Sequence, residues 1–202
     1  MLRTPQEFKR QELKKMLTRV LGDSITRLLP ISINVRESLQ DDFTITDFSF
    51  EKNDLSKTVV PITESKGRGF VDGLFNGLRG HFVDSYNSLS KIKLVDISVN
   101  PVMSSHKRKM ATDAQAEVAF TVEVANMGKS LFEHASRSMI YSSYVSALNV
   151  FEFYINCERS FDKITLGLED AKSRNRFDIV EQCKYDLSRL TEINNYEKKI
   201  RN

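Results

Sequence analysis

Tryptophan is absent from this sequence, cysteine occurs twice and histidine three times. Cys157 and Cys183 stand far apart, with neither a CxxC motif nor disulfide spacing, so a disulfide framework is excluded and a reduced cytoplasm is expected. His81, His106 and His134 never pair at metal-ligand spacing, and neither a metal nor a cofactor is expected. No run reaches the roughly 18 apolar residues of a membrane span, and no signal-peptide core opens the chain. The expectation is a soluble, cytoplasmic protein with no membrane partner. Charge of one sign is scarce too: 30 Lys and Arg stand against 27 Asp and Glu, a net of +3. That balance describes a mixed surface rather than a polycation built for nucleic acid.

What is there is enough for a core, with 40% hydrophobic residues over 202 positions. Between Pro5 and Leu29, Leu13, Met16, Leu17, Val20, Leu21, Ile25 and Leu28 recur at helical spacing, with Lys and Arg opposite. This reads as an amphipathic helix, weakened at Gly22 and ended by Pro30, with a polar linker over 31–42. Phe43–Phe50 and Thr58–Thr63 read as strands, and Pro61 puts the second at an edge or a bulge. A helix from Phe70 to about Leu89, with Val71, Leu74, Phe75, Leu78, Phe82, Tyr86 and Leu89 as its apolar stripe, follows Gly67-Arg68-Gly69. Ile92–Val99 is a third strand, and the basic run His106–Lys109 lies in an exposed loop. Ala116, Val118, Phe120, Val122 and Val124 alternate strictly with polar neighbours, the pattern of a half-buried strand. A short strand near Ser130–Glu133 then leads to a second helix carrying Ile140, Tyr144, Ala147, Leu148, Phe151 and Ile155, expected to run to about Ile164. A last amphipathic helix spans Phe177–Ile200. Two successive units of strands followed by one helix suggest an internal duplication and an α+β sandwich. The expected division is 1–42 for the helix and linker, 43–165 for the main domain and 166–202 for a helical extension.

Four motifs carry a resemblance. Gly67-x-Gly69-Phe70-Val71-Asp72-Gly73-Leu74 resembles the start of the first helix in the regulatory (LeuA dimerisation) domain of 2-isopropylmalate and citramalate synthases. Ile92-x-Leu94-Val95-Asp96-Ile97-x-Val99 is similar to the strand that follows it there. Thr112-Asp113-Ala114-x-x-Glu117-Val118 resembles the turn into the next strand. Ser136-Arg137-Ser138-Met139-Ile140-Tyr141-Ser142-Ser143 resembles the second helix start. The resemblance covers roughly 43–156. It implies two βββα units, a homodimer, and a small effector near the helix starts, leucine or isoleucine. It also implies a regulatory part without chemistry of its own, working beside a synthase catalytic domain. A barrel of about 250 residues does not fit in this chain. Two positions depart from the family: its helix-start proline is Phe70 here, and its aspartate falls on Ser138.

The candidate effector-binding residues are therefore Gly67, Gly69, Asp72, Ser136 and Ser138, with no catalytic residue assigned. The glycines allow close backbone approach, and free helix N–H groups with the helix dipole suit a carboxylate; a tight strand-to-helix turn asks for the same residues. Asp72 either holds an ammonium or simply favours the helix N-terminus, and Ser136 and Ser138 either contact ligand or cap. His134 beside Ser136 lacks a triad's acid, because Glu133 points to the other face of a strand. A structural or protein-interaction domain that has lost its effector is the alternative. Nucleic acid at the basic loop ranks last.

Overall fold

The structure is a computed structural model that describes residues 5–102, 114–124, 128–194 and 196. The chain folds as an α+β sandwich, with two three-stranded antiparallel sheets and four helices among the described residues. In chain order these are α1 (Pro5–Leu21), β1 (Arg27–Ser38), β2 (Phe43–Asn53), β3 (Lys57–Gly67), α2 (Phe70–Phe82), β4 (Ile92–Pro101), β5 (Ala116–Val124), β6 (Lys129–Ser136), α3 (Met139–Ser173) and α4 (Phe177–Thr191). Sheet A has the order β1-β2-β3 and sheet B the order β4-β5-β6, so each is a simple meander followed by a helix. The basic run His106–Lys109 and the turn residues Thr112 and Asp113 lie outside the described residues.

Several sequence expectations are corrected. The first helix does not reach Pro30: Gly22, at φ +57°, turns the chain into a 3-10 turn at Gly22–Ser24, and β1 begins at Arg27. Residues 31–38 are not linker but most of β1, paired with β2 along its length. The helix before them is not an appendage either, because Leu13, Met16 and Leu17 belong to the central hydrophobic cluster. The 42/43 boundary thus falls in the turn joining β1 to β2, and the 165/166 boundary falls inside α3. The helix α2 stops at Phe82, and Leu89 sits in a separate 3-10 turn, Asn87–Lys91, that still buries it. The last helix ends at Thr191 rather than Ile200.

Alternation held where it was strict. In β5, Val118, Phe120, Val122 and Val124 are buried while Glu117 and Glu123 look outward, and β6 supplies Phe132 to the same inner face. In β2, Thr44, Thr46, Phe48 and Phe50 form the inner row of sheet A. Pro61 lies on β3, an edge strand, opposite Ser49. The Ser49 carbonyl instead receives the Tyr144 hydroxyl from α3 at 2.8 Å.

The two layers meet around α3, which packs against β1, β5, β6, α1, α2 and α4. Phe75 of α2 contacts Phe120 of sheet B at 5.7 Å and Phe151 of α3 at 5.6 Å between ring centroids. Phe48 of sheet A meets Tyr144 edge-on at 5.5 Å. Such aromatic pairs add about 0.5–1.5 kcal/mol each beyond the area they bury.

The helix also holds the chain by polar contacts. Asn156 accepts from the Thr26 amide and donates to the Thr26 carbonyl, both at 2.8 Å. One turn earlier, Glu152 accepts from the Leu28 amide at 2.9 Å. Burial raises the Glu152 carboxyl pKa, against the opposing pull of that amide, Lys14 and Arg27. Arg159 adds a bond to the Thr26 hydroxyl. Further along, Glu158 accepts from the buried Ser88 amide at 3.1 Å. These contacts replace the water that the turn before β1 and the 3-10 turn would otherwise need.

Asn156→Ala leaves a buried N–H and a buried C=O at Thr26 unmatched, and is expected to cost about 2–4 kcal/mol in urea unfolding. A loss below about 0.5 kcal/mol would show that water reaches Thr26 in the folded state.

Candidate functional site

The two helix starts, where the sequence places its candidate residues, are built differently. At the α3 start the polar atoms are already matched. Ser138 is the N-cap and accepts from the Tyr141 amide at 3.2 Å. The Ser136 hydroxyl donates to the Ser138 carbonyl at 2.8 Å, accepts from the Ser138 amide at 3.2 Å, and shares a 2.7 Å contact with the Ser142 hydroxyl. Ser142 and Ser146, one turn apart, reach the Ala116 and Val118 carbonyls of β5. These serines staple the helix start onto sheet B, and the capping alternative describes both Ser136 and Ser138.

His134 lies beside this cluster on the inner side of β6, with its ring against Tyr141 at 5.6 Å between centroids. Its Nδ1 is buried without a hydrogen-bond partner. Glu133 is on the exposed face of the same strand, as the period of two requires.

At the α2 start the arrangement is open. The Asp72 carboxylate accepts from the Arg68 amide at 3.0 Å, closing the turn between β3 and the helix. Gly67 is there for closeness: a Cβ on it would lie 2.3 Å from the Gly73 amide nitrogen and 2.9 Å from the Gly69 carbonyl oxygen. Both neighbours are backbone and cannot swing aside. Gly69, the N-cap, is different. Its backbone is extended, a Cβ there would meet nothing within 4 Å, and it offers no side chain to the first helical N–H groups. The helix start is thus uncapped by its N-cap residue, with free space at the Gly69 Cβ position.

Two residues that sequence reasoning did not single out lie beneath this turn. Thr44 pairs with Gly67 across the sheet, and Thr46 comes within 2.7 Å of where a Gly73 Cβ would be. Both threonines are buried, and neither hydroxyl has a hydrogen-bond partner. An unmatched buried hydroxyl costs on the order of 1–3 kcal/mol, so two together are an expense the fold bears at this turn alone among the strand ends of sheet A. The available signal was the row Thr44, Thr46, Phe48, Phe50, which sets two hydroxyls on an otherwise aromatic inner face.

The structure therefore separates the five candidates. Gly67, Gly69 and Asp72 share the α2 start, and Ser136 and Ser138 share the α3 start. Among the described residues, no group of three or more His, Cys, Asp or Glu side chains is placed to hold a metal ion. No described helix is long and apolar enough to cross a membrane.

A second feature concerns sheet B. Ile97 pairs with Phe120 and Val99 with Val118, so all four lie on one side of the sheet. The β5 residues are fully buried beneath α3, yet Ile97 is 44% and Val99 48% exposed. The helix α3 packs on β5 and β6, and α2 packs on β2, β3 and α3 and bonds to β4 at Ile92, away from Ile97 and Val99.

Compared with known proteins, the chain matches no protein-family model and no curated protein.

Substitution at the glycines separates packing from ligand roles. Gly67→Ala is expected to cost about 2 kcal/mol or more in thermal or urea unfolding, and Gly69→Ala less than about 1 kcal/mol. Equal losses at the two positions would contradict the close approach at Gly67.

Proposed function

We propose that this chain is a non-catalytic regulatory and dimerisation domain. In this reading a second copy covers the open half of sheet B, and a small amino-acid effector of the branched-chain type docks at the α2 start. The observation that carries it is the exposure of Ile97 and Val99 on the core-facing side of an edge strand. An apolar row that belongs to a core but lacks its cover is the usual mark of an association surface. Closed two-fold dimers are the commonest way for one chain to supply that cover. The ordered motifs that resemble the LeuA-type regulatory domain support the same reading, with a synthase catalytic domain as the partner to be regulated.

Support for an effector comes from the α2 start. An uncapped helix N-terminus suits a carboxylate. Asp72 in its first turn offers a carboxylate to the effector's ammonium. A branched aliphatic side chain would rest beside Phe70 and Val71, both half-buried and packed at the rim of the core. The second reading, an interaction domain that has lost its effector, is favoured by the α3 start, where Ser136 and Ser138 are consumed in capping.

Two measurements test these parts separately. Light scattering on the native chain at micromolar concentration should give a dimer, and Ile97→Asp with Val99→Asp should give a folded monomer; a native monomer would count against dimerisation. Calorimetry should show heat with leucine or isoleucine. Asp72→Asn should weaken that heat at least ten-fold, with the urea midpoint showing that the fold is intact. Absence of heat from every branched-chain amino acid would leave the interaction-domain reading in place.

A further inference from the structure

A groove of about 230 Å³ lies between α1 and α4, on helices that neither the helix starts nor sheet B involve. Its base is apolar, formed by Leu13 and Met16 of α1, both buried. Its walls are charged. Arg19 of α1 places one terminal nitrogen on both carboxylate oxygens of Asp186 in α4, at 2.6 and 2.8 Å. Gln182 donates to the same carboxylate at 3.1 Å, so this buried acid is fully engaged. The other acid in the groove, Glu12, is paired with Lys15 at 2.9 Å.

Arg189 is the exception. Its guanidinium donates to the Tyr185 hydroxyl at 3.0 Å and lies 5.9 Å from that ring's centroid. Among the described residues it has no carboxylate at ion-pair distance. Tyr185 itself is 58% exposed, so ring and cation stand together at the rim. A guanidinium steadied on an aromatic ring, with unspent N–H donors, is suited to grip a carboxylate. The volume is below the roughly 300–1,000 Å³ of ordinary small-molecule sites, which fits one or two side chains better than a whole metabolite.

We propose that this groove docks an acidic peptide segment of a partner protein. An aliphatic side chain of the segment rests on Leu13 and Met16, and a neighbouring Asp or Glu pairs with Arg189 over Tyr185. Charge complementarity selects this occupant: each acid of the groove has a hydrogen-bonded cationic partner, while Arg189, which acts on Glu12 only at longer range, has no carboxylate at ion-pair distance among the described residues. The inference is independent of the dimer surface and of the effector site, which lie on other elements.

The test is fluorescence anisotropy with a labelled peptide of alternating Glu and Leu, titrated with the full chain. Saturable binding is expected, weakened about ten-fold by Arg189→Glu and similarly by high salt. Tyr185→Ala, at an exposed position, should weaken it as well, and urea midpoints of both variants show whether the fold is intact. A matched peptide with Lys in place of Glu should not bind. Absence of saturable binding, undiminished binding by both variants, or complete displacement by inorganic phosphate would each overturn the proposal, the last by revealing a simple anion site.

Discussion

Asn156 makes two hydrogen bonds to the backbone of one distant residue, Thr26, and the rest of the structure depends on what that contact joins. On one side is α3, which touches both sheets and the other three helices. On the other is the short passage where the chain leaves α1 and enters sheet A. With Glu152 on the Leu28 amide and Arg159 on the Thr26 hydroxyl, α3 presents a line of polar side chains to the start of β1. This fixes α1 and β1 as parts of one core rather than as an arm. The contact is buried, so its loss would expose unmatched backbone groups rather than merely weaken a surface bond.

The long helix also explains the asymmetry that the functional reading uses. Both halves of the chain follow the plan of three strands and a helix, but α2 has 13 residues and α3 has 35. The longer helix covers β5 and β6 of its own sheet and also β1 of the other sheet. The shorter one covers β2 and β3 and meets β4 through Arg79 on the Ile92 carbonyl, at the other end of the strand from Ile97 and Val99. Ile97 and Val99 are left open as a result. At the helix starts the same inequality recurs in another form. Serines close the start of α3, while α2 begins at a glycine above two threonines whose hydroxyls have no partner.

Much of this was legible where one face of an element is wet and the other dry. The strict alternation of β5 and the apolar stripe of α2 gave their inner faces correctly, and the two-unit architecture followed from their order. β1 was hidden for a local reason. Leu28 continues the three-and-four spacing of α1, and an irregularity between Pro30 and Ser32 breaks the alternation that would have announced a strand. α2 was read too long because Tyr86 and Leu89 keep helical spacing although the backbone has already turned. At the candidate site, the capping role of Ser138 was readable from residue type and position. The 2.3 Å approach behind Gly67 and the isolation of Thr44 and Thr46 were not, since both depend on how closely α2 is laid on sheet A. The α1–α4 groove was equally invisible, because Arg19 and Asp186 are 167 residues apart.

The central claim is that the junction of α3 with Thr26 and Leu28 makes α1 and β1 integral to a single cooperative core. Native-state hydrogen exchange tests it most directly. The account predicts that the Thr26 and Leu28 amides exchange only with global unfolding, with the same protection as the buried turns of α3 around Phe151 and Ile155. Exchange at those two amides about a hundred-fold or more faster than in α3, corresponding to an opening cheaper by roughly 2.7 kcal/mol, would show that the N-terminal elements detach on their own and would contradict it.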